Sequence, residues 1–130
     1  MKIEKFEDIE SWKNARELTR RIYKISASGP FAKDFGRRDQ IRRACVSVMS
    51  NIAGGFERGG NKEFLNFLSI AKGSMGEIKS QLYVALDADF ISQLEFDKLY
   101  DQCTHIGRLP AGFMNYLAKS TLRGQKHAGN

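Results

Sequence analysis

Few side chains in this 130-residue sequence have the types and spacing that chemistry requires. Cys103 and His105 stand two apart, a spacing open to two ligands of one metal ion, but a closed zinc site takes four nitrogen or sulfur ligands. The remaining cysteine and histidine, Cys45 and His127, fall in another helix and in the C-terminal tail. A core thiol and a surface imidazole are the simpler reading, and no metal site is expected. Gly55 and Gly60 have the spacing of a phosphate-binding loop, yet Asn61 stands where that motif needs lysine, and the segment leaves a helix rather than a strand. Ser47, Ser50 and Ser74 have no histidine in their own helices to activate them and read as small residues at helix contacts. Asp87 and Asp89 form a carboxylate pair in a turn, where a solvated cap is expected because acid–base work needs a pocket. No catalytic residue, no cofactor and no enzymatic activity are therefore expected.

Charge is the stronger signal. The chain carries 21 Lys and Arg against 15 Asp and Glu, a net charge of +6. Ten of the cations (Lys13, Arg16, Arg20, Arg21, Lys24, Lys33, Arg37, Arg38, Arg42, Arg43) lie between positions 13 and 43, beside only three acids, Glu17, Asp34 and Asp39. This quarter of the chain exceeds the whole net charge, and the remainder is nearly neutral. Lys13, Arg16, Arg20 and Lys24 recur at helical spacing and make one cationic stripe able to track a phosphate backbone. Lys13, Arg16, Arg20, Arg21, Lys24, Arg37 and Arg38 are accordingly the candidate nucleic-acid contacts, the alternative being a solvated face. Arg42 and Arg43 are candidates for a structural or interface role through Glu77 or Glu57, because the planar guanidinium suits partly buried carboxylates. Tyr23 and Phe35 are either core residues or platforms for unpaired bases, and Trp12 belongs to the core or to an interface.

Four elements must position these residues. Phe6, Ile9, Trp12, Ala15, Leu18, Ile22 and Ile25 follow spacings of three and four, predicting a helix over about residues 8 to 28. Asp8 is expected to cap its start, and Ser28, Gly29 and Pro30 to stop it. After a loop at Phe31 to Gly36, the stripe Ile41, Ala44, Cys45, Val48, Ile52 and Phe56 predicts a second helix ending at Gly59 and Gly60. Arg37 and Arg38 lie against the dipole at its start and ask for a partner. Asn61 is expected to cap a third helix carrying Phe64, Phe67, Leu68, Ala71, Met75, Ile78, Leu82, Ala85 and Leu86. Ser92 followed by Glu95 matches a capping box and opens a fourth helix, which Pro110 is expected to kink. Short connections between long helices predict an all-α, antiparallel up-down-up-down four-helix bundle over residues 1–119, with a flexible tail over 120–130.

Composition sets the class. A chain of this length folds as one domain without staples, and two cysteines are too few for a disulfide framework. The longest apolar run is Tyr83 to Leu86, far short of the roughly 20 residues of a membrane span. The first ten residues lack an apolar signal region, so a cytoplasmic location and no membrane partner are expected.

The strings Phe6 and Trp12-x-x-Ala15, Gln40-Ile41-Arg42-Arg43-Ala44 with Ser47 and Asn51-Ile52-Ala53, Gly55-Phe56-Glu57-Arg58, and Phe64, Phe67-Leu68, Ala71, Gly73-Ser74 and Glu77 together resemble the S23-type proteins. Those proteins are associated with intervening sequences in bacterial 23S ribosomal RNA genes. The resemblance covers about residues 5 to 95. It implies a four-helix bundle that assembles into a cyclic homopentamer, architecturally related to accessory proteins of diversity-generating retroelements that engage nucleic acid. By the same resemblance Trp12, Arg42, Arg43, Asn51 and Glu77 are structural or interface residues. One position departs from the pattern: Gly54 stands where the family usually has an acid. Two function classes follow, an oligomer that binds nucleic acid, RNA ahead of DNA, through its basic surface, and a scaffold that recruits a protein partner.

Overall fold

The computed structural model describes residues 3–108, and they are all-α, with no strand among them. A single turn of 3-10 helix, Phe6–Asp8, leads into α1, Glu10–Ile25; the short α2, Gly29–Lys33, precedes the long α3, Phe35–Glu57, and α4, Asn61–Asp87. A fifth helix, α5, occupies residues 93–108. The anticipated kink at Pro110 and the tail from Ser120 lie outside the described residues.

Helical periodicity selects the core. Ala15, Leu18 and Ile22 of α1, Ile41, Cys45, Val48 and Ile52 of α3, Leu68, Ala71, Met75, Ile78 and Leu82 of α4, and Phe96, Leu99, Cys103 and Ile106 of α5 are buried in one cluster. Burial of this apolar surface, at about 25 cal/mol per Å², is the main stabilising contribution. α3 packs along both α1 and α4. α5 meets α4 through the rings of Tyr83, Phe96 and Tyr100, and Arg21 of α1 donates to Gln102 of α5 at 3.3 Å.

The local signals differ from expectation in three places. Asp8 does not cap α1: its carboxylate accepts from the backbone N–H groups of Glu4 and Lys5 at 3.0 and 3.1 Å. Those two bonds, Glu4's first, hold Asp8 below the ordinary carboxylate range. Phe31 to Gly36 is not a loop. Pro30 falls in the first turn of α2, where a missing N–H costs nothing, and Phe31, 2% exposed, stacks on Phe90 with ring centroids 5.0 Å apart. Asn61 is the first residue of α4 rather than its cap, and Gly60 takes the extended cap position. The capping box at the start of α5 follows expectation. Ser92 and Glu95 exchange both capping-box bonds, at 2.9 and 3.1 Å. Asp34 caps α3 by accepting from the Arg37 N–H at 3.1 Å, which answers part of the misplaced positive charge there.

Candidate nucleic-acid interface

The cationic residues of α1 lie opposite its buried stripe. Lys13, Arg16, Arg20, Arg21 and Lys24 are all exposed, as helical geometry requires once Ala15, Leu18 and Ile22 face inward. Trp12, Lys13, Arg16, Glu17 and Arg20 line one shallow recess. Glu17 partly neutralises this stripe. It accepts a hydrogen bond from Arg20 and lies 3.5 Å from Arg21 Nε, and the Arg20 bond, reinforced by both guanidinium charges, holds its carboxyl below the usual range. Arg21 leans away from the stripe, toward Gln102 on α5.

α3 continues the surface. Arg42 does not pair with Glu77 or Glu57. Its Nε donates to the Ser26 hydroxyl at 2.9 Å and its Nη2 to the Tyr23 carbonyl at 3.2 Å, while its guanidinium lies 4.5 Å from the Tyr23 ring centroid. The reason is rotational: position 42 falls on the side of α3 that meets α1, whereas Glu77 belongs to α4. Arg42 thereby bridges α1 and α3. Arg43 is exposed and makes no ion pair among the described residues, and Glu77 is likewise exposed. Arg38 is committed as well, donating to Asp39 at 3.0 Å and to the Ala32 carbonyl at 3.2 Å with its guanidinium 4.8 Å from the Phe35 centroid. Arg37 donates only weakly, at 3.4 Å, to Gln40.

The structure thus divides the ten cations. Arg20, Arg21, Arg38 and, at 3.9 Å, Lys13 share carboxylates; Arg16, Lys24, Lys33, Arg37, Arg42 and Arg43 have no acidic partner among the described residues. Asn51 lies elsewhere, on the α3–α4 seam. It donates to the Ser47 carbonyl at 2.8 Å and the Ser47 hydroxyl at 3.1 Å, and Ser47 and Ser74 share a hydrogen bond of 2.8 Å. Trp12 is half-buried and packs edge-on against Phe6 at 5.0 Å, with Arg16 lying 6.0 Å from its ring centroid.

Two recesses flank Arg43. Tyr23, Asp39, Arg42, Arg43, Val46 and Ser47 line the first, and the second holds Phe35, Arg37, Gln40 and Arg43, again with Asp39 on its wall. Position alone in the sequence does not reveal this junction, although the three-residue spacing of Phe35 and Arg38 does place that pair on one helix face. No group of three or more His, Cys, Asp or Glu side chains among the described residues is placed to hold a metal. Burial pushes both thiols, Cys45 and Cys103, up to about 12.

A family model described as 23S rRNA-intervening sequence protein matches residues 7–112. The chain belongs to that family. The family match takes in every cation from Lys13 to Arg43 and the whole α3–α4 seam. A crystal structure of a protein with unknown function from the S23 ribosomal protein family, from Bacteroides thetaiotaomicron VPI-5482, is similar in fold, with a TM-score of 0.73 at 22% identity over 80% of this chain and 97% of that one. At that identity the likeness concerns the fold. No curated protein matches the chain. Gly54 has room for a side chain: a β-carbon there would lie 3.7 Å from the Phe67 ring, an ordinary contact.

Proposed function

We propose that this protein is a non-enzymatic, oligomeric, antiparallel up-down-up-down four-helix bundle that binds nucleic acid, RNA ahead of DNA, through the surface formed by α1 and the outer side of α3. The observation that carries this reading is the set of five exposed cations, Arg16, Lys24, Lys33, Arg37 and Arg43, that have no acidic partner among the described residues. A cation satisfied within its own chain gains little from a phosphate; an unsatisfied one releases condensed counterions when it meets the nucleic-acid backbone. Membership of a family named for an rRNA intervening sequence supports an RNA ligand. No helix among the described residues is long and apolar enough to cross a membrane, and a cytoplasmic setting belongs to the same proposal.

The oligomer is a cyclic homopentamer, by the family resemblance. Ile70 and Val84 of α4, 53% and 38% exposed, share a face with Gly73, where an added β-carbon would meet no atom of another element among the described residues within 4 Å. A neighbouring subunit would cover that face. A second reading, a scaffold that recruits a protein partner, draws on Leu94, which is 64% exposed on α5.

The test is a titration of the mass-defined oligomer with a structured RNA at several salt concentrations. Binding in the micromolar range or tighter, weakening steeply with salt, is expected; absence of binding at low salt overturns the RNA reading. Light scattering that returns a monomer mass overturns the pentamer.

A further inference from the structure

We infer that Tyr23 and Phe35 are stacking platforms that make this surface a site for unpaired nucleotides rather than for duplex, an inference that rests on the nucleic-acid reading above. Both rings sit where the chain has no use for them in its own core. Phe35, in the first turn of α3, is 64% exposed, and Tyr23, near the end of α1, is 41% exposed. Each is held from one side by an arginine, Arg38 over Phe35 at 4.8 Å and Arg42 over Tyr23 at 4.5 Å.

Neither arginine is free to wander. Arg42 is bonded to Ser26 and to the Tyr23 carbonyl, and Arg38 to Asp39 and the Ala32 carbonyl. The two guanidinium groups therefore fix the rings without using up their outward area. Each ring also forms a wall of one of the two recesses that meet at Asp39 and Arg43. A cation without an acidic partner stands at that junction, with Arg37 in the Phe35 recess and Lys24 next to Tyr23 in sequence.

Exposed aromatic faces alternating with unpaired cations match a single strand in both of its chemistries. A base has a π-face that stacks on a ring or a guanidinium plane, and the phosphate that follows it finds a positive charge. A duplex offers phosphates and 2′-hydroxyls but no free base faces, because its bases are already stacked on one another, so the rings would have nothing to stack on. A protein partner would cover the rings but has no need of the surrounding charge.

The experiment compares a fluorescein-labelled single strand of about 12 nucleotides, oligo(U), with an RNA duplex of about the same phosphate number, at matched salt, on the full chain. The single strand is expected to bind at least about tenfold more tightly. The double variant Tyr23→Ala/Phe35→Ala should lose that preference while the dependence of duplex affinity on salt is unchanged, since no cation has been removed. Both rings are exposed and Arg42 bonds to the Tyr23 backbone, so the variant should fold; an unchanged thermal melt checks this. In Phe35→Trp, which keeps a platform, the single-strand preference should persist and the new indole emission should quench on binding. Equal affinity for both RNAs, with no effect of the double variant, overturns the stacking role and leaves the basic-surface reading standing. Binding of neither RNA removes both. A double variant that changes the oligomer mass but not RNA affinity shows that the rings cover another protein surface, and overturns the inference.

Discussion

Gly55 of α3 approaches Phe67 of α4 so closely that a β-carbon on the glycine would lie 2.5 Å from the phenylalanine β-carbon. Neither atom can give way cheaply, because Phe67 Cβ is tied to the α4 backbone. The neighbouring Gly54 would meet the same ring at 3.7 Å. Gly55→Ala should therefore destabilise the protein by roughly 1–3 kcal/mol through overpacking. Gly54→Ala should be neutral or stabilising by up to about 1 kcal/mol through helix propensity. Denaturant melts of the two variants check the opposite signs.

The shared hydroxyl bond between Ser47 and Ser74, extended by Asn51, ties α3 to α4. Ser74→Ala removes one partner but leaves Ser47 bonded to Asn51, so a cost of about 1 kcal/mol is expected. Equilibrium unfolding in urea measures it, and a destabilisation several times larger would show that the seam also depends on Ser74 in some other way.

Arg42→Ala should cost about 1–3 kcal/mol, since charge-assisted bonds to Ser26 and to the Tyr23 carbonyl disappear together. Arg42→Lys should recover only part of this, because an ammonium group cannot reach both acceptors while lying over the Tyr23 ring. The deeply buried Ser26 hydroxyl keeps its own bond to the Ile22 carbonyl, which limits the damage. Thermal melts of the two variants rank them.

Cys45 and Cys103 should resist alkylation in the folded protein at pH 8, because burial pushes both thiols up to about 12 from an ordinary 9.0. Above pH 9 the unfolded chain gives up these protons while the folded chain keeps them, so the thiols lower stability as pH rises from about 9 toward 12. Titrating stability over that window in wild type and in Cys45→Ala/Cys103→Ala should give a shallower fall in the variant.

Replacing Arg16, Lys24 and Arg43 with glutamine should reduce the slope of log affinity against log salt by about one for each phosphate that is no longer neutralised. Fluorescence anisotropy over a salt series reads the slope directly. Arg38→Gln should instead change stability more than slope, since its donors are already engaged by Asp39 and Ala32.

Much of this architecture is written in short-range patterns. The three-and-four spacing that places Leu18, Ile41, Leu68 and their neighbours inside is a property of each helix alone, and so is the reciprocal bonding of Ser92 with Glu95. The exposed stripe of Lys13, Arg16, Arg20 and Lys24 follows from the same periodicity. The five-residue helix around Phe31 was not legible. Glycine and proline ahead of it signal a break, and only the stacking on Phe90, some sixty residues later, makes its burial intelligible.

The helical class, the inward faces, the concentration of cations between Lys13 and Arg43 and, through the motif strings, the family are all readable from residue order alone. Partnership was decided by the tertiary structure: Arg42 serves Ser26 and Tyr23 rather than Glu77, Arg43 stands without an acidic partner among the described residues, and Asp8 turns back to the chain before α1. Periodicity states which side of a helix is apolar. Which neighbour a polar side chain meets depends on how each helix is rotated and how closely its backbone approaches the next, and those quantities are set by close approaches such as Gly55 against Phe67 that connect residues distant in sequence.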